Sequence, residues 1–368
     1  MEEKKEIVMF YPYMPEDVIK AVSDVLRTRW IGQGEKVDRV EQKFSEKFNI
    51  PYSVTLNSGT SALHLALRLA NVGPGDEVIT TPMTCTATNI PILYTGAKAV
   101  FADIQEDTLN IDPKSIEKKI TAKTKAIMVV HWAGYPCDMD EINAIAKKHN
   151  LKVIEDAAHA LGARYNDKYI GAVSDYACFS FQAIKQITTV DGGIMAMLNN
   201  DDYKRAKILR WYGIDREFKG DIYWKYQISD IGYKYHMSDM TAAMLDVQLE
   251  HLDSVLKRRE EITNRYLNEL KDVPGLTLLK REGNKKSGNW LFTMLVERRE
   301  DFIKKLKENK IESHMVHVRN DICPIFGGKR EDLPVMNKVE NKYVSIPLHN
   351  HLTDEDITMI INTIKSGW

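Results

Sequence analysis

Ser180-Phe181-Gln182-Ala183-Ile184-Lys185 follows the apolar run Tyr176-Ala177-Cys178-Phe179 and leads into Thr188-Thr189 and Gly192-Gly193. The stretch sets one lysine on a short connection after a strand-like segment. Upstream, a second apolar segment, Val153-Ile154-Glu155, ends at Asp156 and continues as Ala157-Ala158-His159. A lysine amine forms an imine with an aldehyde, and a carboxylate at a strand end keeps a heteroaromatic nitrogen protonated. The two together are what pyridoxal 5'-phosphate (PLP) chemistry requires. Either alone says little, because most lysines are solvated charges and an aspartate at such a place serves equally as a helix N-cap. A carboxylate buried there needs a cation or strong donors, and a protonated pyridinium is one such partner.

Working outward, apolar strands alternate with helical patterns over the first two-thirds of the chain. Strand patterns cover Glu77 to Thr81, Ala97 to Ala102, Lys125 to Val130 and Leu151 to Ile154. Helical patterns cover Val37 to Phe48, Ser61 to Leu69 and Asp140 to His149. This alternation predicts an α/β fold with a mostly parallel sheet flanked by helices. Ligands in such sheets bind at the carboxyl ends of strands, where Asp103, His131 and Asp156 fall. From Met240 a long helical pattern begins, followed by a strand, Trp290 to Val296, and helices at Asp301 to Asn309 and Asp354 to Ile364. The expected division is a large domain over 1–240 and a smaller α+β domain over 241–368.

Asn57-Ser58-Gly59-Thr60-Ser61 precedes the Ser61 to Leu69 pattern. Small residues there leave backbone N–H groups at a helix N-terminus, a ready phosphate site, although Ser and Thr in that place also read as an ordinary cap. The chain has no GxGxxG and no GxxxxGK[ST], so dinucleotide and Walker-type phosphate loops are not supported, nor is an NAD-dependent dehydrogenase.

Composition narrows the field further. The chain has 368 residues and a formal net charge of -1, so no basic excess draws it to nucleic acid or to anionic membranes. The N-terminal Met1-Glu2-Glu3-Lys4-Lys5 shows no signal-peptide pattern, and no apolar stretch reaches the length of a membrane span. Cys85, Cys137, Cys178 and Cys323 are widely spaced, which suits a reducing cytoplasm and no disulfide framework. His314-x-x-His317 and His349-x-His351 lack the partners of a metal motif, so no metal is expected.

Taken in order, Asn57 to Leu63, Gly75-Asp76-Glu77-Val78, Glu155 to Ala160, Ser180-Phe181-x-x-x-Lys185 and Ala242-Ala243-x5-Gln248-Leu249 resemble the DegT/DnrJ/EryC1/StrS family of PLP-dependent sugar aminotransferases. The resemblance runs from about residue 10 to the end. It implies PLP-dependent transferase fold type I, with a mostly parallel mixed sheet in the large domain. It also implies a homodimer with shared active sites, small-molecule substrates (an amino donor and a keto-sugar) and no nucleic-acid or membrane partner. Lys185 would hold the cofactor as a Schiff base and shuttle protons, Asp156 would pair with the pyridine nitrogen, and His159 would lie against the ring face. Gly59, Thr60 and Ser180 would hold the phosphate.

Three departures stand out. Cys85, in Thr84-Cys85-Thr86-Ala87-Thr88, sits where many relatives carry an aromatic ring stacker, yet is still expected beside the cofactor. Val190-Asp191-Gly192-Gly193 replaces Gly-Glu-Gly-Gly, and because valine resists positive φ a different turn is expected. Gly232-Tyr233-Lys234-Tyr235-His236 replaces Gly-Tyr-Asn-x-Arg, with Lys234 expected to reach the phosphate across a dimer interface. The aromatics Tyr212, Tyr223, Trp224, Tyr226, Tyr233 and Tyr235 crowd that region, as interface cores do. Substrate contacts are expected from His236 and from His317 and Arg319 in His317-Val318-Arg319-Asn320-Asp321.

The reaction implied moves an amino group from an amino acid, expected to be glutamate, to a keto-sugar, usually nucleotide-linked in this family. The alternatives are the same chemistry on a small phosphorylated ketone or a cyclitol, a PLP-dependent sugar dehydratase, and a non-catalytic regulator. The dehydratases of the family carry histidine in place of the lysine.

Overall fold

The computed structural model describes residues 6–216, 228 and 230–368. A seven-stranded sheet forms the centre. In spatial order its strands are Tyr52–Leu56, Gly193–Met197, Tyr176–Ser180, Lys152–Asp156, Thr124–Val130, Glu77–Thr80 and Lys98–Phe101. The Gly193–Met197 strand runs antiparallel to both of its neighbours, and the five strands beyond it are mutually parallel. The sheet is covered on both faces. Val153 and Ile154 enter opposite cores, as do Met195 and Ala196. This is why these strands read as continuous apolar runs rather than as alternating patterns.

A second, antiparallel sheet of Leu276–Leu278, Phe292–Val296 and Tyr343–Ile346 packs against the Arg299–Glu308 and Asp354–Lys365 helices. The Asp239–Glu269 helix joins the two halves. Its first part, through Leu245, Leu249, Leu252 and Val255, packs into the core of the large sheet. Its later part, through Ile262 and Tyr266, packs into the core of the small one. The two cores therefore part within this helix, between Val255 and Ile262, beyond the residue-240 division expected from the sequence. Ile7 also belongs to the small core and bridges to Ile311.

Two strand-end residues expected at the cleft are spent elsewhere. Asp103 accepts the N–H groups of Val335 and Met336 at the start of the Pro334–Val339 helix, at 2.8 and 2.9 Å. His131 is buried, with Nε2 2.8 Å from Glu155, and its Nδ1 accepts the N–H of Cys137 at 3.1 Å. That second bond leaves Nε2 as the protonated nitrogen and donor to the carboxylate.

Val190 corrects the expectation drawn from its β-branched side chain. It takes φ 71°, the left-handed conformation, with 60% of its surface exposed. Surrounding bonds impose this geometry. Val190 N–H donates to Thr188 Oγ1 at 2.9 Å, Thr189 N–H to the Phe181 carbonyl at 2.9 Å, and Phe181 N–H to the Gly192 carbonyl at 2.9 Å. Solvent on the side-chain face removes the clash that burial would add, while the backbone cost of about 1–2 kcal/mol remains.

Candidate active site

Lys185 lies on the tight connection leaving the Tyr176–Ser180 strand. Ser180 Oγ accepts the Gln182 N–H at 3.3 Å, Gln182 Oε1 accepts the Ile184 N–H at 3.1 Å, and the Lys185 N–H donates to the Gln182 carbonyl at 2.9 Å. The Lys185 amine sits 3.8 Å from the ring centre of Trp290, whose Nε1 donates to the Ile184 carbonyl at 2.8 Å. Burial pulls the amine's pKa down to about 8, against the opposing pull of the Asp156 charge and of Cys85.

Asp156 ends the Lys152–Asp156 strand and is buried. Its Oδ2 accepts the Thr88 hydroxyl at 2.6 Å and its Oδ1 accepts the Ala158 N–H at 3.0 Å. Burial raises its pKa, while these two bonds and the nearby Lys185 work to keep it ionised. The neighbouring Glu155, pointing to the other face as strand alternation demands, is taken up by His131 and the Ser174 hydroxyl.

Ser58 caps the Gly59–Leu69 helix by accepting the Ser61 N–H at 3.1 Å. Among the described residues the N–H groups of Gly59 and Thr60 find no acceptor. Ser180 packs directly against this corner, since a Cβ added at Gly59 would lie 2.9 Å from the Ser180 Cβ. A Cβ at Gly193 would lie 2.4 Å from the Ser58 carbonyl oxygen, so the antiparallel strand also requires glycine at its closest approach. The cap and the anion cradle thus coexist: the serine takes one donor and leaves two.

Four rings close the other side. His159 stacks on Trp290 with centroids 3.8 Å apart, and the His317 ring lies nearly parallel to that of His159 with centroids 5.6 Å apart. Trp132 meets both histidines edge to face at 6.0 Å. Burial holds His159 well below the usual imidazole range and His317 at about 3, with the Lys185 charge adding to both, so the rings are neutral. His159 Nδ1, His317 Nε2 and Trp132 Nε1 are buried without partners among the described residues.

Lys185, Asp156, His159, Ser180, Gly59, Thr60 and His317 therefore converge on one cleft. Cys85 N-caps the Thr86–Tyr94 helix there, close enough to influence the lysine amine. Thr88, Trp132 and Trp290 were not singled out from the sequence. Only Thr88 carried a local signal, as the last residue of Thr84-Cys85-Thr86-Ala87-Thr88.

Arg319 is a correction. It is buried, and all of its N–H groups are taken within the protein. Nε and Nη2 bind the two oxygens of Asp321 at 2.7 and 2.6 Å, and Nη1 binds Asn337 and Glu340. With Nη2 also at the Arg330 carbonyl, the guanidinium is a strut with nothing left for a substrate. Lys234 is exposed, its amine 3.9 Å from the Trp211 ring centre, and His236 lies against the same ring at 3.9 Å. Neither joins the Lys185 cleft of its own chain. Their segment does run beside the cradle, because Asn57 N–H donates to the Tyr235 carbonyl at 2.7 Å. Of the aromatics expected at an interface, Tyr223, Trp224 and Tyr226 lie outside the described residues.

Residues 12–365 match the DegT/DnrJ/EryC1/StrS aminotransferase family. The chain belongs to this family. Its members are PLP-dependent sugar aminotransferases. GDP-perosamine synthase of Escherichia coli O157:H7 is 33% identical over 368 residues, 98% of each chain. The sugar aminotransferase CalS13 of Micromonospora echinospora superposes with a TM-score of 0.94 at 33% identity, covering 98% of this chain and 100% of that one. Spr1654 of Streptococcus pneumoniae, solved in a PLP form, gives a TM-score of 0.92 at 32% identity over 98% of each chain. The cleft fits PLP: two unspent N–H donors beside Ser180 suit a phosphate, a buried carboxylate suits a ring nitrogen, and a lysine with a lowered pKa suits the aldehyde.

Proposed function

We propose that this sugar aminotransferase takes its amino group from an amino acid, glutamate, and delivers it to the ketone of a nucleotide-linked sugar. The observation that carries the reading is the meeting, in one cleft, of Lys185 with the buried Asp156 and the unspent N–H groups of Gly59 and Thr60. Gly59, Thr60 and Ser180 would hold the cofactor phosphate, Asp156 the ring nitrogen, and His159 and Cys85 the ring itself. When bound, PLP acts as an electron sink and carries the amino group from donor to acceptor.

The residues of the chain do the rest. Lys185 takes the proton from Cα of the donor amino acid and returns one to the sugar carbon that gains nitrogen. With a pKa of about 8 it can accept and release that proton near neutral pH. Asp156, held ionised by Thr88 and the Ala158 amide, would be the partner that keeps the cofactor's ring nitrogen protonated. The neutral His159 and His317, with Trp132 and Trp290, keep water from the reacting carbon. The unpartnered His317 Nε2 is a polar group free for the sugar. The products are a 2-oxo acid and an amino sugar.

The active unit in this reading is a cytoplasmic homodimer. Lys234 and His236, which run past the cradle without entering their own cleft, are directed to the neighbouring chain's site. Among the described residues no helix is long and apolar enough to cross a membrane.

Mass spectrometry of products from a panel of keto-sugar nucleotides supplied with glutamate tests the substrate reading. An amino-sugar nucleotide together with 2-oxoglutarate is expected. Product formed only from small phosphorylated ketones or cyclitols, or a deoxygenated sugar with no nitrogen gained, would overturn it.

A further inference from the structure

Asp156 is not held by its strand alone. Thr88, one turn into the Thr86–Tyr94 helix, donates its hydroxyl to Asp156 Oδ2 at 2.6 Å, and Thr84 Oγ1 lies 2.6 Å from Thr88 Oγ1. Both threonines are buried. A hydroxyl has one hydrogen to give. With Thr88 spending its hydrogen on the carboxylate, its oxygen must accept from Thr84. The chain of bonds therefore runs one way, from Thr84 to Thr88 to Asp156, and each link strengthens the next.

The segment carrying the two hydroxyls is itself pinned. Asn320 Nδ2 donates to the Thr84 carbonyl at 2.7 Å, Asn89 Nδ2 to Asn320 Oδ1 at 2.9 Å, and Thr80 Oγ1 to Asn89 Oδ1 at 2.7 Å. Thr88 cannot swing away without breaking this clasp.

We propose that Thr88, backed by Thr84, is a positioning residue that orients the Asp156 carboxylate and holds it ionised as the acceptor for the cofactor's ring nitrogen. This rests on the reading of Asp156 given above. Oδ2 is turned into the protein by Thr88 and Oδ1 toward the Ala158 amide, so the rotation of the carboxylate is fixed and the remaining lone pairs face a set direction. Valine at 88 keeps the shape of the side chain and removes the donor.

The test uses the full-length protein stripped of cofactor. PLP affinity is read by quenching of tryptophan emission, since Trp132 and Trp290 line the cleft, and the visible band of the bound cofactor is read alongside. Thr88→Val should weaken PLP binding about 10- to 100-fold, the size of one lost hydrogen bond to a charged group. It should also shift the band part of the way toward that of Asp156→Asn. Thr88→Ser should restore both, and Thr84→Val should give a smaller change in the same direction. In the Asp156→Asn background, Thr88→Val should add little, because its effect passes through the carboxylate. Affinity and band at wild-type values in Thr88→Val, with Asp156→Asn impaired, would overturn the proposal and leave the ring-nitrogen reading standing. Effects that add in full in the double variant would also overturn it, marking Thr88 as packing only. An Asp156→Asn protein with unchanged band and affinity would instead sink the ring-nitrogen reading, and this proposal with it. Should Thr88→Val fail to melt cooperatively, the Thr84→Val and Thr88→Ser pair decides by the same criteria.

Discussion

The lowered pKa of Lys185 can be tested without any cofactor present. Only the neutral amine is nucleophilic. With a pKa of about 8 in place of 10.5, about a tenth of the Lys185 side chains are neutral at pH 7, against about one in 3,000 for an ordinary lysine, a gain of about 300-fold. Burial is the main cause, since it removes water from the ammonium, while the Asp156 charge works against it. The assay is trace acetylation of the cofactor-free protein by acetic anhydride over pH 6–10.5. The rate at Lys185 is read by peptide mass spectrometry and referred to N-acetyl-lysine amide in the same tube. The rate should rise about tenfold per pH unit up to a plateau beginning near pH 8. Asp156→Asn should move the plateau lower, because the charge holding the pKa up is gone. A Lys185 rate that keeps climbing in parallel with the free standard past pH 9.5 would refute the burial argument.

Other perturbations read other parts of the molecule. Lys185→Ala should abolish turnover and the borohydride-trapped phosphopyridoxyl group found by peptide mapping, and a trapped group on another lysine would move the site. Arg319→Ala strands Asp321, which is 0% exposed, and should cost about 3–5 kcal/mol in urea unfolding with little change in the KM for the keto-sugar. Unchanged stability with a raised KM would reinstate Arg319 as a substrate contact. Val190→Gly relieves a β-branched residue at φ 71° and should leave stability unchanged or raise it by up to about 1 kcal/mol; a clear loss in the melting midpoint would show that the valine side chain is needed. Lys185→Ala and Lys234→Ala chains, each nearly inactive alone, should recover some activity when unfolded together and refolded. No recovery despite hybrid dimers confirmed by native mass spectrometry would count against a shared site.

What could be read from the sequence was what is local in the chain. Asp156 ends one apolar strand, Lys185 sits on the short connection after another, and the cap at Ser58 lies within three residues of the N–H it accepts. Thr88 and Asp156 are 68 residues apart, and Trp290 and Ile184 are 106 apart. No spacing rule links residues brought together by strand order. Val190 shows the opposite failure, in which a sound local preference lost to three backbone and side-chain bonds on either side of it. Arg319 was misread because a buried, fully paired guanidinium and an anion-binding one look alike in sequence. Its partner Asp321, two residues on, was in view and argued for pairing. The handover between the two cores leaves no mark on the Asp239–Glu269 helix because both of its halves present an apolar stripe.

The cleft is assembled from both sheets, and the bonds between them determine how it can work. The segment leading into the Phe292–Val296 strand of the small sheet contributes Trp290, and the loop between the Arg299–Glu308 helix and the Tyr343–Ile346 strand contributes His317. Each is fastened to the large sheet close by. Trp290 and Leu291 N–H groups both reach the Ala133 carbonyl, at 3.0 and 3.3 Å, and Gly288 N–H reaches the Gly134 carbonyl at 2.9 Å. Asn320, three residues past His317, donates its N–H to the Pro82 carbonyl at 2.8 Å, and Arg259 gathers the carbonyls of Asn289, Trp290 and Leu348. Ala133 at φ 56° and Asn289 at φ 48° are held in the left-handed region on the two sides of this clasp, a strain that persists only where the surroundings over-determine it. Swinging the small sheet away would break these bonds together, each worth about 0.5–1.5 kcal/mol net. The lysine, the carboxylate and the rings are therefore set in place before substrate arrives, so little reorganisation falls to the chemical step. In a cleft fixed in this way, we propose, discrimination among sugars would rest on the groups that line it, the buried and unpartnered His317 Nε2 and Trp132 Nε1 among them.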